Sequence, residues 1–407
     1  MNFISKILKS RDNALAGSWM INSIAYSIVY PFIPVYLHQT RNLPMEQAGL
    51  IFPVMAMAGI FVPPLAGWLS DHFPRTNLMR IGQGGRAFLF LLLALMIHLE
   101  APFWVFCILF FLNSGTGVIF ENSADAYLSS ITSKEERPHA YSKIRIGVNI
   151  GWALGPAAGA FFASWPYEVL FLITACICIG SERFIRYILP ESPRVPREPE
   201  LKETVSDRGA FLKDRYILSV LAGIFLLVML SSQLYSVLSV YATKVVALSR
   251  RELGFCYFFN GFTIILGQLP VTALMAKLKV PHNWRLVIGA GFYVCGYFYL
   301  GFAKNFFDVV CAIIVLTLGE LIVQVAIYAV ITAAAPADKV GRYLSGWVFV
   351  RSIGAALGPY LGSLLFARFT ASPVLLWSIL SSFGAAAAIV FAAVALYRSR
   401  KNDKSSA

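Results

Sequence analysis

The string ALGPAAGAFFA at residues 153–163 returns as ALGPYLGSLLFA at residues 356–367, an offset of 203 in a chain of 407. A repeat displaced by half the length means two copies of one unit. Each copy lies in an apolar block of about the ~20 residues that a helix needs to cross a bilayer. Weaker echoes fall near the same offset: GLIF from Gly49 against GFCYF from Gly254, and Tyr26-Ser27 against Tyr235-Ser236. Within the strings, Pro156 and Pro359 each free a backbone carbonyl, while Gly151, Gly155, Gly159, Gly358 and Gly362 let another helix approach closely. These seven residues are expected to serve helix packing and hinging.

Reading outward, further apolar blocks bounded by charge or by Pro and Gly give spans at 15–37, 47–69, 77–99, 102–128, 140–163 and 166–189. A second six follow at 214–242, 251–275, 284–303, 306–333, 341–366 and 373–397. The expected fold is therefore an all-α membrane protein of twelve transmembrane helices in two pseudo-symmetric six-helix bundles. With 58% hydrophobic and 14% charged residues, the chain holds too much apolar surface for a soluble core. The first block is too long for a signal-peptide core and is read as a span that the mature protein keeps.

The net charge of +13 does not indicate nucleic acid, because the basic residues lie between spans. With the N-terminus inside, 25 of the 34 Lys and Arg fall on internal segments and 6 on external loops. That asymmetry makes both termini cytoplasmic, in a multi-pass protein of the cell's inner or plasma membrane. Residues 190–213, with several prolines and mixed charge, read as a cytoplasmic linker between an N-terminal bundle at 1–189 and a C-terminal bundle at 214–407. Two repeats running in the same direction are typical of secondary transporters, with the substrate site between the halves near mid-membrane. The six cysteines lie within apolar segments as small hydrophobes, and neither a metal site nor a cofactor is expected.

The loop after the second span reads GWLSDHFPRT, residues 67–76. It resembles the loop signature of the major facilitator superfamily: Gly67, Leu69, Ser70, Asp71 and Arg75 match, while His72, Pro74 and Thr76 depart from it. Together with the span count, linker and repeat, the resemblance extends over the whole chain. It implies the twelve-helix major facilitator fold, working as a monomer. GWALGPAAGA, residues 151–160, is similar to the Gly-Pro signature of the drug:proton antiporter branch. That branch often carries an Arg early in the fourth span, where this chain has Phe111.

Polar residues at helical spacing form stripes on spans one, four, seven and ten. They are Asn22, Tyr26 and Tyr30; Asn113, Gly117, Glu121 and Asp125; Ser232, Tyr235, Ser236 and Ser239; and Glu320, Gln324 and Tyr328. The resemblance implies that these four helices line a central substrate cavity. Intramembrane charge is costly and points to function, so the acids Glu121, Asp125 and Glu320 and the arginines Arg86, Arg145 and Arg351 are singled out. By resemblance, Gly67, Asp71, Arg75 and Asp125 form a cytoplasmic gate. Glu121 with Arg145, and Glu320 with Arg351, are expected to couple protons to the substrate.

The expected activity is proton-coupled efflux of amphipathic compounds, with protons and membrane lipid as the other partners and no nucleic acid. The alternative is proton-coupled transport of a specific polar or anionic metabolite, chelates included, with an intramembrane arginine holding the carboxylate. No Walker loop, HExxH string or nucleophile elbow is present, so an enzyme is not expected.

Overall fold

The structure, a computed structural model, describes residues 10–133, 136–162, 164–191, 214–336 and 339–406. The linker expected at 190–213 lies almost wholly outside the described residues. Among the described residues the fold is all-helical. Twelve helical segments run in order: α1 Arg11–Thr40, α2 Met45–His72, α3 Arg75–His98, α4 Phe103–Ile131, α5 Arg137–Phe161 and α6 Tyr167–Ile188. Then come α7 Arg215–Tyr235, α8 Arg250–Lys277, α9 His282–Leu300, α10 Phe306–Ala334, α11 Val340–Phe369 and α12 Pro373–Ser406. Nine of these are long and apolar enough to cross a membrane on length and composition alone. The other three, α5, α6 and α9, fall short because each carries charged or polar residues near one end. They are the same length class as their neighbours.

Local sequence explains the helix starts. Asp214 accepts from the backbone N–H of Tyr216 and Ile217, and Asn305 from that of Asp308, satisfying donors that a helix leaves free at its N-terminus. Ser249 and Glu252 cap each other's backbone ahead of α8, and Ser133 and Glu136 do so ahead of α5. Two helices are irregular where the polar stripes fall. Pro31 and Pro34 interrupt α1, which tightens at Tyr30–Phe32 and widens at Tyr36–Thr40. α7 tightens at Ser232–Tyr235, breaks at Ser236 and resumes as Val237–Lys244.

The described residues group into two compact units. One takes in the described residues of 10–42, 50–191 and 249–261; the other takes in those of 43–49, 214–248 and 262–406. In the first unit, α1 packs along α5. A β-carbon on Gly151 would lie 2.8 Å from the Met20 carbonyl, and one on Gly155 would overlap Ser27 Oγ. The Ser27 hydroxyl donates to the Gly151 carbonyl at 3.1 Å across this contact. The start of α8 belongs to this unit, with Gly254 and Gly261 against Ala160 and Ala153.

The second unit repeats the construction with α7 on α11. Gly358 faces Ser232, Gly362 faces Gln233, and Gln233 Nε2 donates to the Gly358 carbonyl at 2.7 Å. Gly49, from the start of α2, packs here against Ser363. Pro156 and Pro359 both lie within their helices.

Candidate functional site

In the first unit, the stripe residues of α1 meet α2, α3 and α5. Asn22 is buried, and its Oδ1 accepts from Gln83 Nε2 at 2.8 Å and from Arg86 Nη1. The Arg86 guanidinium lies 5.1 Å from the ring centroid of Tyr26, a cation–π contact. Tyr26 and Tyr30 are half-buried and meet Trp152 of α5 edge-on at 6.1 and 5.8 Å, with Tyr30 also against Phe52 at 6.0 Å. The rings form one partly open aromatic surface beside a polar network. Asn113 is buried, and its Nδ2 has no hydrogen-bond partner. Glu121 lies on an exposed face of α4, and Asp125 is half-buried one turn on. Arg145 is exposed on α5.

The Arg75 backbone N–H donates to Glu191 Oε1 at 3.1 Å and the Thr76 hydroxyl to Glu191 Oε2, so an acid just past α6 fastens the start of α3. Asp71 is exposed at the end of α2, and Gly67 has open space where a β-carbon would stand. Two ion pairs also tie helices together near this end: Arg80 to Glu182 at 2.8 Å and Lys143 to Asp12 at 2.6 Å. Sequence reasoning gave no partner to Glu191, Glu182 or Asp12. The signal available was an acid at or near the end of an apolar span.

In the second unit the stripes divide. Tyr235, Glu320 and Gln324 are half-buried, and Tyr328 is exposed with its ring 4.7 Å from Trp347. Arg351 is exposed, its guanidinium 5.9 Å from the same Trp347 ring. Ser232 backs onto Gly358, and Ser236 and Ser239 are fully buried inside the unit. The break at Ser236 accounts for this, because spacing measured along a continuous helix no longer predicts the face beyond it. Behind them Tyr293, Tyr297 and Trp377 stack, and the Tyr297 hydroxyl donates to the Ser231 carbonyl at 3.0 Å. Among the described residues no group of His, Cys, Asp and Glu is arranged to hold a metal ion.

An all-helical chain of long apolar segments, built from two copies of one packing pattern with polar residues on the repeated helices, is an integral membrane protein of the transporter class. The Major Facilitator Superfamily model matches residues 15–359, and the chain belongs to that family. Its members are transporters, and the chain is a membrane transporter and not an enzyme. It is similar to YqjV of Bacillus subtilis (strain 168), an uncharacterized MFS-type transporter, at 24% identity over 88% of this chain and 87% of that protein. It is also similar to multidrug resistance protein 2 of the same organism, at 22% identity over 49% of this chain and 48% of that one. Among solved structures, the nucleoside transporter NupG shares the fold, with a TM-score of 0.76 at 12% identity over 95% of this chain and 99% of that one.

Proposed function

We propose that the protein is a proton-coupled exporter of amphipathic compounds working by alternating access. The observation that carries this reading is the aromatic surface of Tyr26, Tyr30 and Trp152 beside a polar stripe. Half-buried rings offer broad, orientation-tolerant contact to flat apolar molecules, and their π faces suit cations. Tyr328 and Trp347 give the second half a similar pair. The multidrug-resistance relative supports the same reading. The bundles 1–189 and 214–407, joined by a cytoplasmic linker at 190–213, then move as the two halves of a monomer in the cell's inner or plasma membrane, with both termini cytoplasmic. Gly151, Gly155, Pro156, Gly159, Gly358, Pro359 and Gly362 keep the helices close while the halves rock.

In this scheme Gly67, Asp71, Arg75 and Asp125 act as the cytoplasmic gate. Glu121 and Glu320 carry the protons, and the exposed Arg145 and Arg351 take part in the same coupling. Asn22, Tyr26, Tyr30, Asn113, Ser232, Tyr235, Ser239, Gln324 and Tyr328 belong to the helices that line the substrate path. The second reading, transport of a polar or anionic metabolite or chelate, is favoured by the exposed guanidinium of Arg351 beside Trp347. Accumulation of ethidium by energised cells separates the two. Overexpression should lower it for an exporter of amphipathic cations. Unchanged ethidium together with Arg351-dependent uptake of a polar anion would favour the second reading.

A further inference from the structure

Among the described residues Arg86 is the one charged side chain that lies buried, at 5% exposure, and it makes no ion pair there. Its Nη1 donates to the neutral amide of Asn22, and its Nε has no partner. A cation held inside a helix bundle without a counter-charge is costly unless an anion comes to it. Gly117 of α4 makes room for the guanidinium, since a β-carbon there would stand 2.6 Å from Nη2 and 2.9 Å from Cζ. Glu121 follows Gly117 by one turn on the same face of α4. Helical side chains lean toward the helix N-terminus, which inclines the Glu121 side chain back over Gly117. Tyr26 on α1 stands within electrostatic reach of both Arg86 and Glu121.

We propose that Arg86 is the fixed counter-charge of Glu121, engaged across Gly117 whenever that acid is ionised, so that a proton arriving at Glu121 releases a tie between α3 and α4. This rests on the reading of Glu121 as a proton-carrying acid. The titratable groups that share the electrostatic surroundings of the pair are Tyr26 of α1, Cys178 of α6 and Asp125 on the next turn of α4. Glu121 is exposed on α4, while Arg86 is buried and held by Asn22. The pair therefore joins a mobile charge to an immobile one.

The test needs no substrate. Thermal unfolding of the detergent-purified full chain at mildly alkaline pH compares wild type, Arg86→Gln, Glu121→Gln and the double variant. Glu121→Gln should lower Tm by about 2–4 °C in wild type and leave it unchanged in the Arg86→Gln background. Two independent, additive shifts would overturn the pairing. If Arg86→Gln cannot be purified, the Arg86 Nε–H resonance, assigned with Arg86→Lys, replaces it. That resonance should move with Glu121→Gln and stay in place with Asp125→Asn; no movement with Glu121→Gln would overturn the proposal. Failure of the export reading would appear in transport alone and leave these measurements untouched.

Discussion

The α3–α4 crossing of the first half and the α9–α10 crossing of the second share a backbone and differ in charge. Gly82 brings α3 so close to α4 that a β-carbon would lie 2.9 Å from the Thr116 carbonyl; Gly289 brings α9 equally close to the Gly319 carbonyl, at 3.0 Å. One turn on, the first half has buried Arg86 against bare Gly117. The second has Tyr293 at the place of Arg86, 207 residues on, and Glu320 at the place of Gly117, 203 residues on. Glu320 stands within electrostatic reach of Tyr293. The repeat thus preserves the glycine contacts that fix helix separation and leaves the chemistry inside them free to diverge. A cation sits on one side of the molecule's symmetry and an acid on the other.

The largest expected effect tests the shared part. Gly155→Val and Gly358→Val force a side chain into Ser27 and Ser232 respectively, with backbone behind both. Overpacking by even small groups costs about 1–3 kcal/mol, and these contacts have no room to relax. Both variants should fail to give monodisperse protein in detergent. A well-folded Gly358→Val beside a lost Gly155→Val would break the equivalence of the two copies.

The next effect concerns what the first half alone carries. The last turn of its α2 holds Asp71, whereas the last turn of α8 and the residues after it, 274–281, have no acid. Asp71→Asn should cut ethidium efflux at least tenfold, an estimate of the scale on which one charge controls a gate, with the protein still inserted. Near-normal efflux would remove the gate from the scheme.

The divergent part is tested by Gly117→Ala, whose new methyl meets the Arg86 guanidinium; it should lower stability by about 1–3 kcal/mol, read as Tm. Glu320→Ala at the equivalent site should cost less, because that position already accommodates a side chain. The reverse order would mean that Arg86 is not held by the space at Gly117.

The smallest effect lies in a matched pair of turns. Asn42 and Ala247 both have positive φ, 53° and 62°, a conformation that Asn tolerates and Ala does not. Ala247→Gly should raise stability by under about 1 kcal/mol, while Asn42→Gly should leave Tm nearly unchanged.

What the sequence disclosed follows from what is local. The repeated Gly-Pro strings, the apolar block lengths and the capping residues are read along one helix, and the helices form where those signals stand. Contacts between helices are not written that way. Glu191 holds Thr76 from 115 residues away, and no spacing rule connects them. Arg86 was visible as an intramembrane charge, but its partners Asn22 and Gln83 depend on how α1 and α3 are rotated about their axes. Ser236 and Ser239 of the α7 stripe are buried for a local reason: the tightened segment Ser232–Tyr235 and the break at Ser236 change the phase that periodicity assumes. The break itself carries no Pro or Gly to announce it.

Purified protein reconstituted into liposomes with an imposed pH gradient tests proton-coupled export most directly. Ethidium should move against the proton gradient in wild type, dissipating it, and neither movement should occur with Glu121→Gln combined with Glu320→Gln. Gradient-driven ethidium transport that persists in the double variant, or wild-type transport that ignores the gradient, would contradict the account.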